Sequence, residues 1–406
     1  MIAILIKYLL PMFSADRTLQ IADWLSRHQS LWQARPFYES EPRWAAQYPH
    51  LYNTLLTASD ADIQHARVNP DFHLQWLSQY LPSLGELIPL LHLPPVADYG
   101  HGSGSPHFPV GIPGRKWAQI QAFMRSIKPG SELLDWCCGK GHLLRSLCHC
   151  KNCRGEGLEW QAPLANDGNA LARKWQLDCH IHNGDALHED TAGLLKANSH
   201  VIALHACGDL HTHLLDLIAQ HKVAAISLAP CCYHLSKHSH YVWRSKTLQH
   251  LPWQADIHTL RLCVEESVTA PRQQLIAQAQ LQAWRLGFNA LYEAQTGTPP
   301  PQPEPRLNMT IIKQGFVDFC HTRAQDSGIT LPANLNFDHW QAQGEALQHR
   351  VQRLELARHL ARRAMEILIN ADKTHYLQDQ GMRAGLYQFC ARQLSPRNML
   401  IQGTHT

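Results

Sequence analysis

The sequence predicts an α/β fold: a mostly parallel, doubly wound sheet of seven strands with helical regions before and after it in the chain. Two observations carry this. Between residues 116 and 229, short runs rich in β-branched and apolar residues alternate with helical stretches of ten or more residues, the pattern of parallel strands joined by crossover helices. On either side, residues 1 to about 95 carry helical spacing rich in Leu, Trp and Gln, and the pattern is again helical beyond 316.

The totals suit such a molecule. A length of 406 residues exceeds what one core usually serves, so two domains, or one core with large helical additions, are expected. Apolar residues make up 45% and charged residues 17%, which excludes extended disorder over most of the length. A net charge of +3 does not announce a polyanion partner, although 28 histidines would raise it in mild acid. The twelve cysteines are irregularly spaced, unlike a secreted disulfide framework, and read as thiols in a reducing, cytoplasmic setting. The apolar opening is interrupted by Lys7 and broken by Pro11, so a packed helix is expected rather than a signal peptide. No stretch approaches the ~20 apolar residues of a membrane span, and no membrane partner is expected.

Taken in order, residues 1–97 form a helical N-terminal domain punctuated by prolines, and 98–114 a Gly/Pro-rich linker. Residues 115–314 hold the sheet. A helix over Lys116–Ile127 precedes a strand at Glu132–Trp136, and a helix begins at His142. A strand at Gly155–Trp160, a helix over Pro163–Trp175 and a strand at Cys179–His182 come next. Then come a strand at His200–His205, a helix over Asp209–His221 and a strand at Ala224–Ala229. After a helix at Pro271–Leu286, runs at 288–294 and 307–313 suit a terminal hairpin; the other position for the last strand is 398–402. Residues 315–406 read as a helical C-terminal region with a long segment over Asp338–Gln380.

The chemistry gathers at the ends of these strands, where open α/β sheets bind ligands. Leu133-Leu-Asp-Trp-Cys-Cys-Gly-Lys-Gly-His142 takes a strand ending in Asp135 through a glycine turn into a helix, so that Gly139, Lys140 and Gly141 offer bare backbone beside a helix N-terminus. A lone Gly-x-Gly is a weak signal, and acidic residues at the next strand ends strengthen it. Glu159 ends the second strand, the position from which a carboxylate grips ribose hydroxyls. Asp185 comes after the third strand, as an acceptor for an amino group or as an ordinary Asx turn. Leu204-His-Ala-Cys-Gly-Asp-Leu210 and Ala229-Pro-Cys-Cys-Tyr-His-Leu235 end the fourth and fifth.

These segments, with Glu366-Ile-Leu-Ile-Asn-Ala-Asp-Lys373 and Ser395-Pro-Arg-Asn398, resemble the methyltransferase-like protein 25 group, S-adenosylmethionine (SAM)-dependent methyltransferases of the methyltransferase domain 32 class. More distantly, the Gly-Lys-Gly and paired-cysteine motifs resemble tRNA ribose methyltransferases. The resemblance covers roughly 112–235 well and 356–400 moderately. It implies a Rossmann-like core, SAM as cofactor and methyl transfer. Two departures stand out. Cys137 replaces the first glycine of the loop, and paired lysines followed by Glu appear only as Arg115-Lys116 with Gln119, leaving Lys116 as a contact at the cofactor's end.

Cofactor-binding residues are thus expected at Lys116, Asp135, Cys137, Gly139, Lys140, Gly141, Glu159, Asp185 and His205. His205, Asp209, Cys231, Cys232, Tyr233 and His234 stand where the transferable methyl would lie. His205 reads as methyl-proximal or as bonded to a turn. Cys231 and Cys232 read as nucleophiles or, preferentially, as small packing residues; Tyr233 and His234 read as substrate-shaping groups or core. Cys148, Cys150 and Cys153 have metal-ligand chemistry but lack a fourth partner and paired spacing, so no metal is expected. The basic run His349–Arg363 tracks phosphates or is a solvated amphipathic face. The mechanism expected is direct in-line transfer to an acceptor, with RNA favoured over protein and protein over a small molecule. A SAM-binding scaffold without turnover is the alternative of a different class.

Overall fold

Seven strands form one sheet in the order β3-β2-β1-β4-β5-β7-β6. They are β1 (Glu132–Trp136), β2 (Arg154–Glu159), β3 (Cys179–Asn183), β4 (His200–Cys207), β5 (Ala225–Cys231), β6 (Arg383–Gln388) and β7 (Met399–Thr404). The computed structural model describes residues 12–100, 112–265, 272–301 and 309–405. The first five strands pair in parallel, and β7 runs antiparallel between β5 and β6. The order reverses between β1 and β4, which opens a crevice at the carboxyl ends of those strands. The expected Rossmann-like α/β fold is present.

Central strands are buried on both faces, so their sequences run apolar without alternation: Leu133, Leu134 and Trp136 of β1 and Ile226, Leu228 and Ala229 of β5 are at most 3% exposed. Crossover helices Gly114–Arg125, His142–Lys151, Ala162–Lys174 and Asp209–Gln220 keep closely to the expected bounds. Ile120, Phe123, Leu143, Leu144 and Leu147 fill one core with Leu133, Ile202 and Leu400.

The chain divides into two compact units, and the boundaries differ from those expected at 97, 114 and 314. One unit gathers the described residues of 1–27, 86–269 and 362–406; the other gathers 28–85 and 270–361. The second is helical, with Trp284, Phe288, Leu291 and Phe319 in its core. The expected hairpin is corrected there. Phe288, Leu291 and Tyr292 repeat at helical spacing and are buried within one helix, Arg272–Thr296, and Met309–Lys313 is a 3₁₀ turn. The alternative position for the last strand is the observed one, β7. The region from 315 is therefore helical only to Asp379, after which β6 and β7 complete the sheet. Most of the linker, 101–111, lies outside the described residues, as does the opening of the chain.

The helix Arg362–Asp379 positions one end of the site. Fourteen of its eighteen residues are buried, among them Glu366, Asn370, Asp372 and Lys373. A helix with this much buried polar chemistry needs partners all round it.

Candidate functional site

The turn after β1 uses three left-handed residues in five: Cys137 at φ 60°, Gly139 at 58° and Gly141 at 62°. Glycine takes this conformation freely, and a side chain there is strained. Cys137 nonetheless adopts it, so the departure from glycine leaves the turn intact. Burial, reinforced by the Glu159 and Asp135 carboxylates, pushes its thiol up to about 12. Gly141 caps the helix His142–Lys151.

Glu159, 5% exposed, reaches this turn from β2. Its two oxygens accept from the Gly139 N–H (2.9 Å) and the Gln161 N–H (3.0 Å), which ties the turn to the strand end and leaves further lone pairs for a ligand. Asp135 is 2% exposed and accepts from the Leu144 N–H, while its Oδ2 has no partner. Burial raises its pKa to about 7, against the opposing pull of the Lys116 charge. A buried, partly unsatisfied carboxylate beside a backbone cradle fits the cationic amino-acid end of SAM, and Glu159 fits its ribose. Asp185 is exposed and its Oδ1 accepts from the Leu187 N–H (2.9 Å), the Asx turn that its sequence context also allows. Lys140 pairs at the surface with Asp167 (2.8 Å).

At the ends of β4 and β5 the arrangement depends on close backbone approach. Gly208 has φ 58°, and a Cβ there would fall on the Leu235 carbonyl; the Asp209 N–H donates to that same oxygen at 3.0 Å. Asp209 begins the helix Asp209–Gln220, and its Oδ2 accepts from the Lys237 N–H (2.7 Å). Asp209 thus holds the 232–237 turn. His205 lies on β4, and its side chain is outside the described ones.

Cys207 and Cys231 are neighbours across the β4–β5 pair, with sulfurs 3.0 Å apart. Cys232 sits at φ 48°, a left-handed position that brings its sulfur to the other two. Hydrogen bonds from Cys207 and then Cys231 hold the Cys232 thiol well below its usual range. Cys231 is buried, and Cys207 and Cys232 are half-buried. None of the twelve cysteines forms a disulfide, and Cys148, Cys150 and Cys153 do not converge as ligands.

Tyr233 is 4% exposed; its hydroxyl accepts from Asn370 (2.9 Å) and lies 3.4 Å from Glu366 Oε1. His234 is half-buried, and its Nδ1 has no partner. Asp372 accepts from the Tyr241 hydroxyl (2.9 Å) and from the Ser245 N–H (2.9 Å) and hydroxyl (2.7 Å). Lys373 is fully buried, with its ammonium 5.0 Å from the ring centres of both Tyr233 and Tyr241. Burial lowers its pKa to about 7. Beside it opens a cavity of about 360 Å³, lined by Gly208, His211, Tyr233, Tyr241, Arg244 and Lys373 among others.

Sequence reasoning missed Lys373, Tyr241, Arg244 and Asp372 as site residues. The resemblance singles out Glu366–Lys373, and that was the signal. Trp160, 70% exposed beside Glu159, was also missed; a solvent-facing indole at a strand end is unusual enough to notice. The arginines of the basic run at 349–363 have partners within the protein. Arg350 binds the Tyr52 hydroxyl (2.6 Å), Arg353 pairs with Asp60, Arg358 with Glu355 (3.2 Å) and Arg363 with Glu366 (2.8 Å), while Arg362 donates to the Glu265 carbonyl.

No curated protein matches the chain. Among solved structures, fibrillarin from Aeropyrum pernix with bound SAM is 15% identical, with 25% of this chain and 46% of that chain covered and a TM-score of 0.23. TrmK from M. capricolum with S-adenosylhomocysteine is 10% identical over 27% and 50%, at 0.23. Geranyl diphosphate methyltransferase with SAM is 20% identical over 33% and 62%, at 0.24. The chain spans about half the length of the first two structures, and at these TM-scores the fold rests on its own strand order. A family model described as a methyltransferase domain, of the class numbered 32, matches residues 115–238, from the helix before β1 through the turn after β5.

Proposed function

We propose that the chain is a SAM-dependent methyltransferase acting on RNA. The observation that carries the cofactor assignment is the cradle after β1: three left-handed residues in one turn tied to Glu159, beside the orphaned oxygen of Asp135. Glu159 would hold the ribose, Asp135 the amino end, and Gly139 and Gly141 the close backbone approach. Lys116 stands near enough to Asp135 for their charges to interact and would meet the cofactor's carboxylate. Trp160 offers an apolar face to the base, and Asp185 remains the acceptor for its amino group. Bound SAM supplies an electrophilic methyl, and the protein supplies alignment and water exclusion. His205, Asp209 and Tyr233 would orient the acceptor at the ends of β4 and β5.

The cavity beside Lys373 supports an anionic acceptor. Lys237, Arg244, Lys373 and the imidazoles of His211, His213, His238 and His240 line it with Asp209 and Asp216; Arg244 is paired with Asp216 and burial pushes the His211 imidazole well below its usual range, so the positive character that suits a phosphate-bearing chain rests on Lys237 and Lys373. Cys137 retains the left-handed turn, and this argues for a working loop over a degenerate scaffold. The motifs from Glu366 to Asn398 favour the methyltransferase-like protein 25 group within the class. A cytoplasmic location is proposed from the free thiols; among the described residues no helix is long and apolar enough to cross a membrane.

The test is transfer of labelled methyl from SAM to cell fractions. Label removed by ribonuclease supports the proposal, and label removed only by protease replaces RNA with protein as acceptor.

A further inference from the structure

The thiols of Cys207, Cys231 and Cys232 are not needed to hold SAM, and methyl transfer by in-line displacement does not use them. Their sulfurs lie within 4.8 Å of one another, contributed by the ends of two adjacent strands and the turn beyond them. A tetrahedral zinc ion holds thiolates at about 2.3 Å, which places sulfurs roughly 3.8 Å apart. The Cys207 and Cys231 sulfurs, 3.0 Å apart, would open by roughly 0.8 Å to reach that spacing. The backbone is committed to the arrangement, because Cys232 reaches the other two only through its left-handed conformation.

We propose that Cys207, Cys231 and Cys232 bind one zinc ion through three sulfurs, with the fourth position open to water or to a donor atom of the acceptor. Three-ligand sites with an open corner are the catalytic type of zinc centre, whereas closed structural sites take four protein ligands. Cys207 and Cys232 are both half-buried, which leaves that corner reachable. Three thiolates and a divalent ion carry one net negative charge. Arg397, close enough to Cys232 for their charges to interact, has its Nη1 buried without a partner and offsets that charge. The Ser-Pro-Arg-Asn motif acquires a reason in this arrangement: it delivers Arg397 beside the ion. The ion is thiophilic; magnesium and calcium, which take oxygen ligands, do not suit three sulfurs.

The experiment is elemental analysis of the reduced, full-length protein grown with zinc, followed by cobalt(II) exchange, with SAM binding measured in parallel. The expected result is one zinc per chain and, after exchange, a sulfur-to-cobalt charge-transfer band of the strength that three thiolates give. Cys232→Ser should lose most of the zinc, while the triple variant Cys148→Ser, Cys150→Ser, Cys153→Ser keeps it. A folded, reduced protein that binds SAM yet takes up neither zinc nor cobalt overturns the proposal and leaves the methyltransferase reading standing. Zinc retained by Cys232→Ser but lost in the 148/150/153 variant also overturns it. If Cys232→Ser does not fold, the cobalt band of the wild-type protein decides: three thiolates support the site, and no sulfur band refutes it. A protein with full zinc and no SAM binding would keep this site and remove the enzyme reading.

Discussion

The ends of β1 to β3 and the ends of β4 and β5 belong to one sheet edge but are built differently. On the first side every contact is short in sequence: Glu159 lies 20 residues from Gly139 and two from Gln161. On the second, Tyr233, Tyr241 and Ser245 are held by Glu366, Asn370 and Asp372, separations of 127 to 137 residues. The β1–β3 side is a local turn, whereas the arrangement at the ends of β4 and β5 depends on the helix Arg362–Asp379. Its shape can therefore diverge without disturbing cofactor binding.

That contrast is open to perturbation. The largest effect is expected from Asp372→Ala, which removes the acceptor of the Ser245 N–H and hydroxyl and of the Arg244 N–H. Urea denaturation should show a loss of about 3–5 kcal/mol, while SAM affinity of the folded fraction stays within about threefold. A comparable loss of SAM affinity would mean that the two sides are coupled. On the proposed cofactor side, Glu159→Ala removes an acceptor from two loop amides and, on the proposed reading, from the ribose. SAM binding should weaken about 30- to 150-fold, roughly 2–3 kcal/mol, by calorimetric titration.

The pH dependence separates the sides further. Asp135 has its folded pKa raised to about 7. Its ionisation therefore opposes folding as pH rises from the usual carboxylate range to 7, and the cationic cofactor favours the ionised form. SAM affinity should fall as pH drops below 7, approaching tenfold per unit, and Asp135→Asn should flatten that profile. Lys373 behaves oppositely on the acceptor side, because its folded pKa is lowered to about 7. The penalty of charging it in place is full below 7 and fades as pH rises toward 10, so stability gains with pH across that window. Lys373→Met should abolish that slope in urea titrations at successive pH values. The smallest effect is expected from Cys137→Gly, which relieves a left-handed side chain but loosens the unfolded chain; the net gain should be about 1 kcal/mol or less, with SAM affinity nearly unchanged.

The same contrast explains what could be read from sequence. β1 to β5 and their helices were legible because each is a local apolar run with a period, and the Gly-Lys-Gly turn and Glu159 announce themselves by spacing. β6 was not, since Arg383-Ala-Gly-Leu-Tyr-Gln388 is short and its partner β7 supplies the pairing. The helix through Phe288 reads as a strand in sequence because a run of seven residues fits either period. The site at β4 and β5 was legible only in part. Cys231 and Cys232 read as packing residues in sequence, and only the fold brings Cys207, 24 residues before Cys231, against them. Arginines on the basic helix look free for phosphate because their partners lie elsewhere in the sequence, Arg358 with the Trp32 carbonyl among them.

The central claim is that the cradle after β1 holds SAM. Calorimetric titration of folded, reduced protein with SAM tests it most directly, with S-adenosylhomocysteine as competitor and the Asp135→Ala, Glu159→Ala double variant as control. One saturable site per chain, displaced by S-adenosylhomocysteine and lost in a double variant that remains folded, is the predicted result. A folded wild-type protein that binds neither compound, or a double variant that binds both as well as the wild type does, would contradict it.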